Sequence, residues 1–582
     1  MNQKYYYFVF FLFLLILNNQ GSNFQIANKT PIKKKVQLIH ADFVQKKNDN
    51  IIYLIGHIHF EHNGSHLFCD KAIYYKKNNQ FHGYGNVQLV SSKNRIFSKE
   101  IEYSGRFGFF KVSGNVIFIQ KNIKLTASRI NYNLRKKYFQ AKNVILFFKK
   151  LKLSTNILEY DLQLKKVSYK KGGLISYGNF IKLYSREGSY FLKKGKAKFK
   201  DKIKFVNKNY TIFSNTIEYL FRLEKIDFFS PTIIVENNNT KSNNFLYAKE
   251  GSFFLKKGIF LFRKYFSIHY NGKIVKGEYL FFDHKKKYGF IKNIFFEDPK
   301  KKYFLIGETS NFDLNSGVFF LKKNTIIIKG IKNYKNSIFI IHSDTIKILF
   351  KKESNLLIIK AFPVNRFFLN GIFHHLQVEG KCHSLVYEQS TNNNSYFSSI
   401  LLDGNPIFWI NNNLQLTGDS ISIHRKKDSI NSLDIKNVFL RKKIDSKKFH
   451  QIQGDKMTVF FSEKNIKKVL IQGNIKSIIF LDKNIIQKSD CGMILLDLEK
   501  GKISCTEKTY SEIFPFSKNI TDIEKKLFLP KFFWIKKDPQ KMKKDFLLKQ
   551  IEKYKKESFL EEKEIKKIKK YEFFYETIRV RE

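Results

Sequence analysis

The sequence predicts an all-β fold, an elongated repeat stack of strands that ends in a helical tail. Three observations predict it. Between Gly56 and Gly173 the chain repeats itself every 28 to 29 residues. Within each copy apolar residues alternate, as in Val87-Gln88-Leu89 and Val116-Ile117-Phe118, which puts residues i and i+2 on one face of a strand. Proline, which removes a donor from a sheet ladder, occurs only 8 times in 582 residues. A period of this size signals stacked supersecondary units, since one hairpin cannot bury its own apolar face.

Residues 1–22 read as a signal peptide. Lys4 supplies the positive end, Phe8 to Leu17 is an unbroken apolar run, and Asn18-Asn19-Gln20 follows. The run is short for a bilayer span. The expected location is therefore the periplasm or cell envelope.

Residues 36–180 carry the clearest repeats. Copies open at Gly56-His57-Ile58, Gly85-Asn86-Val87, Gly114-Asn115-Val116 and, without the glycine, Lys142-Asn143-Val144. The opening glycine suggests a tight turn at positive φ, where Asn is also tolerated, so each copy reads as strand, turn, strand. An Ile/Leu-x-Tyr step recurs at Ile73-Tyr74-Tyr75, Ile101-Glu102-Tyr103, Ile130-Asn131-Tyr132 and Leu158-Glu159-Tyr160. Alternation places Ile58, Phe60, Val87, Leu89, Val116, Phe118, Val144 and Leu146 on the inward face, with Ile73, Ile101, Ile130 and Leu158 as companions. That face is either a packed core or an apolar groove, and periodicity does not separate the two.

Residues 181–350 read as further, diverged repeats. Gly188-Ser189-Tyr190-Phe191-Leu192-Lys193-Lys194 returns from Gly251 and again, as Gly-Val-Phe-Phe-Leu-Lys-Lys, from Gly317. A second β region is expected over 351–515. From 516 to 582 come an aromatic connector (Leu529 to Ile535) and a basic tail. Asp538 to Lys570 has no glycine and a partial apolar stripe of Phe546, Leu547, Ile551, Tyr554 and Phe559. The tail reads as a solvated helix or as one that docks on an anionic membrane surface or a partner.

The formal net charge is +56. The lysines are scattered through strands and turns, and no nucleic-acid motif is present, so a nucleic-acid partner is not expected. Of four cysteines, Cys491 and Cys505 flank a hairpin and are close enough in sequence to bridge, or stay as thiols. His57, His59, His62 and His66 cluster with Cys69, but their spacing fits no standard zinc pattern, and no metal or other cofactor is expected. No catalytic constellation of the nucleophile-elbow, phosphate-loop or zinc-protease kind occurs, so the chain is not expected to be an enzyme.

The Gly-Asn-Val openings, together with Ser98-Lys99-Glu100-Ile101-Glu102-Tyr103 and Ala127-Ser128-Arg129-Ile130-Asn131-Tyr132, resemble the repeat of the OstA family, which includes LptA-like proteins. A second block is similar to large OstA-like proteins: Asn405-Pro406-Ile407-Phe408-Trp409, then Gln415-Leu416-Thr417-Gly418-Asp419, echoed at Gln453-Gly454-Asp455. The resemblance implies an open β-jellyroll, OstA/LptA-like, whose apolar interior binds acyl chains of lipopolysaccharide or a related lipid. It also implies partners: other Lpt-type β-jellyroll proteins, joined by edge-strand pairing. Lys71, Lys99 and Arg129 would meet lipid phosphates if they stood at a groove rim. The alternative is a structural or adhesive β-repeat protein without a lipid groove. The chain is longer than short members of the family and lacks the C-terminal strands of an outer-membrane barrel.

Overall fold

The computed structural model describes residues 36–516 apart from short loop segments, together with 527–537, 552, 554, 556 and 561–566. The signal-peptide reading at 1–22 lies outside the described residues. Two compact units form, one of residues 1–263 with 562–582 and the other of residues 264–561.

The first unit is built from antiparallel strands, each paired with the next. Its opening strands are β1 (Gln37–His40), β2 (Phe43–Lys46), β3 (Ile51–His62), β4 (Ser65–Tyr75), β5 (Gln80–Val90), β6 (Arg95–Ser104), β7 (Phe109–Gln120), β8 (Ile123–Asn133), β9 (Tyr138–Phe148), β10 (Leu151–Asp161) and β11 (Lys166–Tyr177). β1 and β2 both pair with β3 and act as one interrupted edge strand. The pattern runs on through Phe245–Phe254 to the start of Ile259–Tyr270, the strand at which the two units divide. The second unit repeats it, strand after strand, as far as Ile485–Asp497 and an interrupted final strand, Lys502–Thr506 with Tyr510–Pro515. The fold is thus an all-β antiparallel stack of the open-jellyroll kind.

The Gly-Asn pairs do not make the expected turns. Gly56-His57, Gly85-Asn86 and Gly114-Asn115 all have positive φ, yet they sit in mid-strand. There the register slips by one residue, between Ile55 and Ile58, Tyr84 and Val87, and Ser113 and Val116. A left-handed Gly at a slip is a β-bulge, which bends the strand. Positive φ is needed by a bulge as much as by a turn, so the sequence signal was real and its placement was not. The connections between strands fall elsewhere, as at Lys76–Asn79.

Several bulges are tied to the strand before them. The left-handed Asn86 donates its side-chain amide to Asp70 Oδ2 at 2.9 Å. In the second unit Asn293, Asn324, Asn437 and Asn474, also left-handed, do the same to Glu278, Glu308, Asp419 and Asp455. The acids of the Gly-Asp motifs at 418–419 and 454–455 are therefore bulge clamps.

The bend folds the two halves of the strands against each other. Phe60 lies eight residues along β3 from Ile52, roughly 26 Å in a straight strand. Ile52 pairs with Tyr74, and Tyr74 with Phe81. Yet the Phe60 ring stacks on Phe81 with centroids 5.1 Å apart. Only two facing half-sheets allow this.

Residues 527–537 are mostly without regular structure, and helix is described at 552, 554, 556 and 561–566. Of the expected apolar stripe, Phe546, Leu547, Ile551 and Phe559 lie outside the described residues. Cys491 and Cys505 form a disulfide, while Cys69 and Cys382 are buried thiols.

Candidate functional site

The inner face of β3–β11 is one apolar cluster. Of the eight residues expected on it, Ile58, Phe60, Val87, Val116, Val144 and Leu146 are buried, and Leu89 and Phe118 are half-buried against the same cluster. Each fully buried branched side chain contributes about 1.5–3 kcal/mol through apolar area removed from water. Ile101, Ile130 and Leu158 join them.

Ile73 does not. In β4 the inward positions are Leu67, Cys69, Ala72 and Tyr74. Two successive residues, Asp70 and Lys71, point outward at the kink, and this shifts the alternation by one. Tyr74, not Tyr75, therefore matches Tyr103, Tyr132 and Tyr160. The same kink puts Lys71, Lys99 and Arg129 on the exposed outer ridge, not at the rim of an interior.

The sequence reading missed half of the inner face. Leu67, Leu125 and Leu153 come from the even strands. A row of aromatics crosses the sheet: Tyr74, Phe81, Tyr103, Phe110, Tyr132 and Phe139 are joined by register. Ring contacts include Phe81–Tyr103 at 5.3 Å and Phe110–Tyr132 at 5.2 Å. The signal was available, since Phe81, Phe110 and Phe139 recur at 29-residue intervals. Burial raises the phenols of Tyr74, Tyr103 and Tyr132, and pushes Tyr160 up to about 12, so these rings stay neutral.

The cluster ends at Tyr169. Its ring lies where a Cβ on Gly173 or Gly188 would come within 2.4 or 2.3 Å, and its hydroxyl is 2.6 Å from Ser185 Oγ. Further along, Ile203, Ile212, Ile217 and Phe228 form a separate buried cluster.

The histidine cluster is pulled apart by the strand faces. His57 Nδ1 bonds Asp42 Oδ2 at 2.8 Å, and His59 Nε2 lies 3.0 Å from His66 Nδ1. Cys69 points to the inner face, where burial pushes its thiol up to about 12. Among the described residues no group of three or more potential ligands converges. The exposed His57 is raised, and Asp42 lowered, first by their mutual hydrogen bond.

Residues 33–140 and 133–215 match the OstA-like protein family. That stretch, which includes the whole inner cluster, is similar to the family. Among solved structures it is similar to LptH from Pseudomonas aeruginosa, described as the LptA homologous periplasmic component of the conserved lipopolysaccharide transport device. Identity is 16%, the match covers 23% of this chain and 79% of that one, and the TM-score is 0.13. No curated protein matches the chain in sequence.

Proposed function

We propose that the protein is a non-catalytic periplasmic conduit that carries acyl chains of lipopolysaccharide or a related lipid along the inner face of β3–β11. The residues in contact would be Ile58, Phe60, Val87, Leu89, Val116, Phe118, Val144 and Leu146. The observation that carries the reading is the unbroken apolar face between two facing half-sheets, which has half-buried residues at its margins. Leu89, Ile96 and Phe118 line one margin and Tyr103, Phe110 and Phe139 the other. Apolar side chains of this kind suit acyl chains, and open half-sheets let the polar headgroup remain in water.

Edge pairing fits the exposed ends. β1 and β2 are exposed throughout, with Phe43 at 72%. In the second unit, Tyr510–Pro515 is exposed over most of its length. An uncovered apolar edge invites strand addition, and the proposed occupants are other Lpt-type β-jellyroll proteins.

One observation favours the alternative, a structural β-repeat with a packed interior. At the first copy Phe60 bridges the half-sheets, stacked on Phe81 and 6.5 Å from Tyr74, so that rung is closed. Photocrosslinking in cells separates the readings. A photoreactive residue at Phe118 should capture lipopolysaccharide, and one at the outward, exposed Lys124 should not. A folded, exported protein with no lipid adduct at Phe118 would establish the packed interior.

A further inference from the structure

The second unit carries a row of side chains that crosses adjacent strands. Trp409, Gln415, Arg441, Gln451 and Ile478 are directly opposed on five adjacent strands. They stand on the face opposite Phe408, Leu416, Leu440 and Ile452. In an ordinary one-sided sheet such a row would be in water. Here Gln415 is 1% exposed, Arg441 2% and Gln451 0%.

What buries them is the segment 527–537 of the same chain, lying across the strands. Each glutamine reads its backbone from both sides. Gln451 Nε2 donates to Leu527 O at 2.8 Å, and its Oε1 accepts from Leu529 N at 2.9 Å. Gln415 Nε2 donates to Ile535 O at 2.7 Å, and its Oε1 accepts from Ile535 N at 3.2 Å. Trp409 Nε1 adds a donor to the same carbonyl. Between the clamps Phe449 packs on Phe532 and Trp534, with centroids 5.1 and 5.2 Å apart. Leu527 and Leu529 join Phe439, Ile478, Phe480 and Ile486 in one buried cluster. Lys537 pairs with Glu379, which opposes Trp409 at the end of the row.

We propose that this face is a backbone-reading docking site for an extended peptide, and that residues 527–537 are its resident ligand, a strap held in cis. The argument is chemical. Buried glutamines that satisfy both a C=O and an N–H of a crossing chain take no part in the ladder of the sheet, whose bonds run in its own plane; among the described residues the one contact back to it is the longer bond from Gln451 Nε2 to Phe449 O at 3.4 Å. Without the strap the two glutamines would exchange backbone partners for water, and the Phe439–Phe449–Phe480 surface would be left as an exposed apolar patch, which solvated faces rarely carry. The connection is also short: strand pairing of the body ends at Pro515, twelve residues before Leu527.

The strap supplies its own probe. The chain has two tryptophans; Trp409 lies under the strap and Trp534 within it. In the full chain, intrinsic fluorescence and acrylamide quenching therefore report docking alone. The wild type should emit to the blue and quench poorly. The double variant Gln415→Ala, Gln451→Ala should shift to the red and quench severalfold more readily, with its far-ultraviolet β signal retained. Unchanged emission and quenching would overturn the proposal. As a second measurement, Leu527→Asp with Leu529→Asp damages the strap and leaves the site whole. A synthetic peptide of residues 525–537 added to it should restore protection of Trp409. If the folded variant ignores that peptide, the site does not bind a peptide as a separable ligand and the proposal fails. Protection that is already lost on dilution of the wild type would reveal a strap exchanged between two copies, which overturns the assignment in cis.

Discussion

Replacing Gly85 by alanine probes the device that folds the half-sheets together. Gly85 has φ +74°, and an added Cβ would stand 2.4 Å from Asp70 Oδ2 and 3.0 Å from Asp70 Cβ. Holding an L-residue in the left-handed region costs about 1–2 kcal/mol. Displacing Asp70 also breaks its bond from Asn86, and a hydrogen bond to a charged group contributes about 1.5–3 kcal/mol. The bulge should lose about 2–5 kcal/mol in all. A long repeat stack has no single two-state unfolding free energy, so the assay should be local. Hydrogen exchange of β4–β6 amides reads opening directly. The variant should exchange roughly 30-fold to several-thousand-fold faster there, at tenfold per 1.4 kcal/mol. Gly178→Ala is the internal control, with φ +55° and nothing within 4 Å; it should show the conformational part alone. Asp70→Ala isolates the hydrogen bond, since Asp70 accepts it from a position outside the left-handed region. If Gly85→Ala disturbs exchange no more than Gly178→Ala, the clamp does not hold the bulge and the reasoning is wrong.

Other expectations follow from the same geometry. Ile58→Ala, at a wholly buried position, should cost about 2–5 kcal/mol of local stability, seen as faster exchange in β3–β5. The disulfide between Cys491 and Cys505 closes a loop with a sequence separation of 14, for which chain entropy predicts about 3 kcal/mol; a non-reducing peptide map should find the pair linked, and reductant should raise exchange over residues 485–515. Glu561 is buried, which works to raise its carboxyl, but hydrogen bonds from His269, Ser267 and Tyr265 outweigh this and hold it below the ordinary 4.5. A depressed folded-state value means that its contribution is full above 4.5 and is lost as pH falls through the folded value. Protection around Ser267 and His269 should therefore decline on acidification below 4.5, and Glu561→Gln should flatten that dependence; equal profiles for both proteins would refute it.

The inner face was legible because its signal is local. Ile58, Val87, Val116 and Val144 each follow a Gly-Asn-like pair at a fixed period, and a strand alternates whatever surrounds it. Ile73 was misplaced because the Ile-x-Tyr frame was set on Tyr75 in place of Tyr74. The same pair of outward residues precedes the buried position in β4, β6 and β8, and it aligns Ala72, not Ile73, with Ile101 and Ile130. The turn expected at Gly85-Asn86 failed for a different reason: left-handed backbone is demanded equally by a turn and by a bulge, and the choice depends on a partner strand. The disulfide was left open because spacing permits a bridge without requiring one.

The tail marks the limit most clearly. Its composition spoke for a basic helix with an apolar stripe, and residues 561–566 and Tyr554 are helical. Nothing in the local sequence said that Leu527 to Lys537 would lie across five strands, because the partners Gln415 and Gln451 are 120 and 78 residues away from Ile535 and Leu529. By itself the sequence determined the strand period, the apolar character of one face and the left-handed positions, since each rests on the stereochemistry of neighbouring residues. Only the tertiary structure decided that the left-handed positions bend the strands, that the half-sheets close on each other at Phe60 and Phe81, and that two glutamines find their partners in the tail, because these depend on residues that the chain brings together from far apart.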